Sequence, residues 1–139
     1  MSIIPKIKVM VDSNVLISSI YTKNGVAIQV LNKATNPPYS LVLCEQILDE
    51  DYKFFSKKFP SKLEDMKNTL IASRYDLIIL NNNDIFYFEE SKIRDITDRP
   101  ILRAAKKANI DLFITGDRDF LDSSLEHPKI MSLQQFMSI

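Results

Sequence analysis

Short apolar runs alternate with stretches of helical periodicity along the whole chain, and this alternation limits the possible folds more than any other feature. Ile7, Val9 and Val11, with Met10 between them, form a first run that ends at Asp12. Tyr39 to Cys44 (YSLVLC) is a second, Asp76 to Leu80 (DLIIL) a third, Asp111 to Thr115 (DLFIT) a fourth, and Ile130 with Met131 a short fifth. Between them the pattern turns helical: Val26, Ile28, Val30 and Leu31 up to Asn36-Pro37-Pro38; Leu48, Tyr52, Phe55 and Phe59 up to Pro60; Leu63, Met66, Leu70 and Ile71 behind a Ser61-Lys62-Leu63-Glu64 capping box. Pro100 opens another helix through Ala108, and Ser132 with Gln135 caps a terminal one. Val15 to Ile20 is an unbroken apolar run before a turn at Thr22 to Gly25, NNND at 81–84 is a polar turn, and Glu89 to Asp98 reads as a charged loop. Parallel strands need crossovers and are covered on both faces, so this order predicts an α/β fold: a three-layer α/β/α sandwich around a central, mostly parallel sheet. At 139 residues the chain is expected to form one domain, 1–139.

Composition removes several chemistries. With only Gly25 and Gly116, no glycine-rich phosphate loop can be built. One cysteine, Cys44, and one histidine, His127, supply neither a disulfide framework nor a zinc cluster, and Cys44 reads as a small core hydrophobe rather than a thiol nucleophile paired with His127. The N-terminal apolar stretches are broken by Pro5, Lys6, Lys8 and Asp12, so neither a signal peptide nor a membrane span is expected and the cytoplasm is the expected compartment. Eighteen basic against eighteen acidic residues give no net charge, so a charged substrate must be handled by local groups.

In parallel α/β sheets, ligands bind beyond the carboxyl ends of the strands. Acids stand there: Asp12 after the first run, Asp117 and Asp119 after the fourth, Asp98 just before the Pro100 helix, and Glu50 early in the helix after the second run. Taken singly, Asp12, Asp98 and Asp117 read as helix caps and Glu50 as a solvated helix charge. Gathered at one edge they would repel unless protonated or bridged by a cation, and an all-oxygen set suits Mg²⁺ or Mn²⁺. Such ions activate water and stabilise charge on phosphorus, which points to phosphodiester hydrolysis. Asp49 and Asp51 flank Glu50, but Ile47 and Phe54 place Glu50 beside the buried stripe. Asn14 and Thr115 are candidate supporting groups, Asn14 orienting a carboxylate or metal-bound water and Thr115 positioning the attacking water, or else ordinary turn and strand residues.

The segments VDSNVLIS (Val11 to Ser18), CEQILDE (Cys44 to Glu50), DITDRPIL (Asp95 to Leu102) and TGDRDFL (Thr115 to Leu121) together resemble the PIN domain family, in the family's order and over nearly the whole chain. The likeness is nearest to the small single-domain branch grouped as toxins of toxin-antitoxin pairs. It implies a Mg²⁺- or Mn²⁺-dependent endoribonuclease with Asp12, Glu50, Asp98 and Asp117 as catalytic metal ligands, Asp119 as a further acid, and Asn14 and Thr115 as helpers. An RNA substrate, a homodimer and a neutralising antitoxin protein are implied with it. Ser13 stands where Thr is common and Cys44 where Ser or Thr is usual; neither removes a charge.

Two other readings compete. A haloacid-dehalogenase-like phosphatase would use Asp12 as nucleophile, but it wants a second acid where this chain has Asn14. A non-catalytic protein-binding module would need the acids only as caps. Arg94, Arg99 and Arg118, each near a proposed ligand, could engage RNA phosphate or balance the acids, while Phe86, Tyr87 and Phe88 read as base-stacking groups or as core or dimer contact. The apolar positions of the hairpin Leu48 to Ile71 read either as a dimer patch or as monomer core.

Overall fold

The computed structural model describes residues 6–22 and 25–139. Five strands form one sheet: β1 (Ile7–Val11), β2 (Tyr39–Cys44), β3 (Tyr75–Ile78), β4 (Leu112–Ile114) and β5 (Lys129–Met131), in the order β3-β2-β1-β4-β5. All four pairings are parallel, with Val9 opposite Leu41 on one side and Leu112 on the other. Val9, Met10 and Val11, and Leu41 to Cys44, are buried along consecutive positions, as strands covered on both faces must be.

Helices α1 (Ser13–Tyr21), α2 (Val26–Ala34), α3 (Glu45–Lys58) and α4 (Leu63–Ala72) lie in the connections that step outward from β1 to β2 to β3. The chain then returns through α5 (Arg99–Lys107) to β4, and α6 (Arg118–Leu121) leads on to β5. Right-handed crossovers therefore put α1 to α4 on one face and α5 and α6 on the other, giving the three layers. The last helix, α7 (Leu133–Met137), carries the Ser132–Gln135 capping box and packs beside α2, where Phe136 meets the Tyr39 ring edge-on at 5.1 Å. Among the described residues no helix is long and apolar enough to cross a membrane.

Several expectations need correction. The buried positions of α3 are Ile47, Asp51 and Phe55; of the stripe Leu48, Tyr52, Phe55 and Phe59, Phe55 is fully buried, Leu48 and Phe59 pack against the core, and Tyr52 is 51% exposed, so Tyr52 does not belong to it. The helix starts directly at the end of β2, which fixes its rotation with Ile47 inward and carries Asp51, one turn on, in with it. The capping box at Ser61 does not form: Pro60–Lys62 is a 3-10 turn, and α4 begins after it with no side-chain cap. Strand β3 begins at Tyr75 and ends at Ile78, earlier at both ends than the run DLIIL. The charged segment before α5 contains two 3-10 turns, Phe88–Lys92 and Ile96–Asp98, and the apolar run after Asp12 is helix. Of the turn at Thr22 to Gly25, residues 23 and 24 lie outside the described residues, as do residues 1–5 of the N-terminal stretch.

The hairpin of α3 and α4 uses its apolar side chains internally. Phe55 and Met66 close over Ile20 of α1, with Phe54, Phe59, Leu63 and Leu70 around them, leaving Tyr52 and Ile71 exposed. Exposed large apolar groups gather instead on β3 and the segment after it, at Leu77, Ile79, Ile85, Phe86 and Phe88.

That segment is fastened to α5. Arg103 makes two bonds to Glu90, Nη2 to Oε1 at 2.7 Å and Nε to Oε2 at 3.1 Å, and both groups are largely buried. Lys106 pairs with Glu89 at 2.6 Å and Lys107 with Asp84 at 2.8 Å. The Phe86 ring lies 3.9 Å from the Arg103 guanidinium, so Phe86 and Phe88 belong to the surface rather than the core.

Candidate active site

Strand order reverses at β1, whose neighbours β2 and β4 are reached in opposite directions along the sheet, and a crevice opens beyond the carboxyl ends of these strands. Asp12 stands at its centre, at the junction of β1 and α1. Its Oδ1 accepts from the Ser13 N–H at 2.8 Å, so it does cap α1, and its Oδ2 accepts from the Thr115 hydroxyl at 2.8 Å. Burial pushes its pKa up to about 6; the Thr115 and Ser13 bonds oppose that rise, and the charges of Glu50 and Asp117 add to it.

Two hydroxyls link the neighbouring acids. Ser13 donates to Glu50 Oε2 at 2.8 Å, bridging the first turn of α1 and the second turn of α3. Thr115 Oγ1 also accepts from the Asp117 N–H at 3.0 Å, ordering the turn after β4. Asp117 caps α6 through Oδ1, which accepts from the Asp119 N–H at 2.9 Å. Asn14 is exposed, with its amide 3.8 Å from the point where a Cβ on Gly116 would stand.

Asp98 occupies the cap position of α5, yet its carboxyl makes no capping bond. Its pKa is pushed up to about 7, first by burial and then by the charges of Asp12, Asp95, Asp117 and Glu50. The structure thus brings the carboxylates of four separate connections into one another's field. Among the described residues Asp95, Asp98 and Asp119 each offer an oxygen within 4.8 Å of the others, a group that does not include Asp12, Glu50 or Asp117.

Asp95 was not singled out by sequence. Its Oδ1 accepts from the Thr97 N–H and hydroxyl at 3.0 and 2.7 Å, and the Thr97 bonds hold its carboxyl below the usual range. A 3-10 turn has three residues per revolution, so acids spaced by three, as in Asp95-Ile96-Thr97-Asp98, share a face; that spacing was the available signal. Ser13 was noted only as a replacement, and its adjacency to Asp12 was the clue to its bond with Glu50.

Asp51 is buried beside Glu50, 1% exposed, and neither of its oxygens has a hydrogen-bond partner among the described residues. Burial, followed by the charges of Glu50 and Asp12, pushes it up to about 9. Cys44 is buried and pushed up to about 12, chiefly by burial, so it is a neutral thiol; His127 precedes β5 at the opposite edge of the sheet, which rules out a thiol-imidazole pair. A groove of about 800 Å³ lined by Tyr39, Leu70, Arg74 and Tyr75 lies at the strands' amino ends, remote from the acids.

An α/β/α sandwich with carboxylates collected at the carboxyl edge of a parallel sheet is the class of protein that this geometry defines. The chain belongs to the PIN domain family, whose profile matches residues 8–119, a span containing every acid of the crevice. It is similar in fold to VapBC2 from Rickettsia felis bound to a DNA fragment from their promoter, with a TM-score of 0.68 at 12% identity over 91% of this chain and 98% of that one. A DNA-bound VapBC from Salmonella typhimurium gives 0.63 at 17% identity over the same shares. No curated protein matches the sequence.

Proposed function

We propose that this PIN domain is a metal-dependent endoribonuclease and the toxin of a toxin-antitoxin pair. The observation that carries the reading is Asp98, a carboxyl without a hydrogen-bond donor whose pKa is raised by burial and by four other carboxylates. Acids held together in this way favour a cation over their mutual repulsion, and a donor set of oxygens alone fits Mg²⁺ or Mn²⁺. Asp12, Glu50, Asp98 and Asp117, with Asp119 beside them, would hold the ion. Bound there, it supplies charge neutralisation at the phosphate and polarisation of the attacking water.

The chain's own groups prepare that site. Thr115 fixes one oxygen of Asp12, Ser13 fixes Glu50, and Asn14 stands at the rim as an orienting amide. The solved relatives are complexes named VapBC and bound to DNA, which supports an antitoxin partner here. A homodimer belongs to the same reading, with its surface on Leu77, Ile79, Ile85, Phe86 and Phe88 rather than on the hairpin; light scattering giving a concentration-independent 16 kDa species would remove it.

The test is cleavage of single-stranded RNA oligonucleotides by the purified protein with Mg²⁺ or Mn²⁺, with EDTA, and as the Asp98→Asn variant. Cleavage is expected only for the wild type with metal. Undiminished cleavage in EDTA, or in Asp98→Asn, would overturn the proposal. Turnover of phosphomonoesters through an acyl-phosphate on Asp12 would replace it with the phosphatase.

A further inference from the structure

A crevice walled by acids, on a chain of zero net charge, has no long-range field to draw in a polyanion. A local cation must hold the RNA, and sequence leaves three arginines open. The structure separates them. Arg118 donates to Asp122 Oδ1 at 2.7 Å, an acid outside the Asp95, Asp98 and Asp119 group. Arg99 donates Nε to the Ile93 carbonyl at 3.0 Å, which makes it a brace of the backbone. Arg94 forms an ion pair with Asp119, Nη2 to Oδ1 at 2.9 Å, at one acid of the Asp95, Asp98 and Asp119 group, with 69% of its side chain still exposed. The other cations of α5, Arg103, Lys106 and Lys107, are committed to Glu90, Glu89 and Asp84, and Lys92 points to the Ser124 carbonyl.

We propose that Arg94 is the phosphate-binding residue of this site, gripping the RNA backbone beside the acids; this rests on the nuclease reading above. Its mounting suits the task. Ile93 before it is fully buried, and Asp95 after it caps the next 3-10 turn, so the backbone under Arg94 is held on both sides. Among the described residues none of the five N–H groups of the guanidinium makes a hydrogen bond to protein, and Asp119 holds it as an ion pair alone. An ion pair this exposed is weak, so Asp119 orients the guanidinium without tying it up, leaving a planar fork for two phosphate oxygens.

RNA affinity is measured in the Asp98→Asn background, where the substrate stays intact, with Arg94→Ala and Arg94→Lys added and KCl varied; cleavage by the single variants is measured in parallel. For Arg94→Ala the expected result is roughly 10- to 100-fold weaker binding, a KM raised more than kcat is lowered, and a slope of log Kd against log salt smaller by about one. Arg94→Lys restores part of the affinity and the full slope. Mn²⁺ uptake by calorimetry is not weakened in either. Unchanged RNA affinity and salt slope in Arg94→Ala, with wild-type cleavage intact, would overturn the proposal, as would a loss confined to kcat and Mn²⁺ affinity, which would make Arg94 only a support for Asp119. If the wild type itself does not cleave RNA with metal, the nuclease reading fails instead.

Discussion

Asp12 and Asp51 are both buried carboxyls, 5% and 1% exposed, on neighbouring elements, and each feels the charge of Glu50. Their surroundings treat them differently. Asp12, at a strand end, accepts a backbone N–H and a hydroxyl and stays near 6; Asp51, one turn along α3 from Ile47, accepts nothing and rises to about 9. At neutral pH the first is mostly a carboxylate and the second an acid. Burial alone therefore does not decide the charge of a carboxyl: the supply of donors does, and here the donors belong to the strand ends.

If the crevice serves chemistry and Asp51 only burdens the fold, substitutions in the two regions should have opposite effects. The largest is expected from Asp98→Asn, which should lower RNA cleavage by two or more orders of magnitude while leaving thermal stability unchanged or slightly raised, since it removes a repelling charge. A melting temperature that falls with activity would break the comparison.

Asp51→Leu and Asp51→Asn should do the reverse, with cleavage retained and stability raised by about 1–3 kcal/mol at pH 8. The sign follows from the raised pKa. Above pH 3.8 the unfolded chain releases this proton while the fold keeps it until about 9, so stability falls with rising pH across that window, and the gain in the variants should shrink towards pH 5. Equal gains at both pH values would show that Asp51 finds partners in solution.

Asp12 and Asp98 follow the same sign over narrower windows, from 3.8 to about 6 and about 7. The protein without divalent ions should therefore lose stability from these groups as pH rises, and Mg²⁺ should stabilise it more at pH 8 than at pH 5, read as the shift in melting temperature. The smallest effect is expected from Thr115→Val. It removes a donor from Asp12 and should move the acid limb of the pH-activity profile up by about one pH unit; an unmoved limb would assign that limb to Asp98.

The strands were legible because burial on both faces writes itself into sequence as unbroken apolar runs: the limits of β2 coincide with YSLVLC. The position of the acids was legible for a related reason, since a parallel sheet delivers its strand ends to one edge. The rotation of α3 was not. Tyr52 and Phe55 both fit the helical period, yet Phe55 is buried and Tyr52 exposed, and the choice depends on the junction with β2, a contact that no helical period encodes. Nor were the directions of Arg94, Arg99 and Arg118, because a long side chain is aimed by its partner: Asp119 lies 25 positions beyond Arg94. Asp95 was hidden by a 3-10 turn inside what reads as loop.

The clasp of Glu89 and Glu90 on Lys106 and Arg103 bears on how the crevice comes apart. The charged pairs join the segment before Asp95 to α5, and Ile93 plugs the same seam. Amide protons of Glu90, Ile93 and Asp98 should therefore exchange in step with those of α5, as one cooperative block, rather than at the rate of an open loop. Two of the crevice acids would then be released together by a single opening event, and a molecule in that state would present Asp12, Glu50 and Asp117 with no Asp98 opposite them.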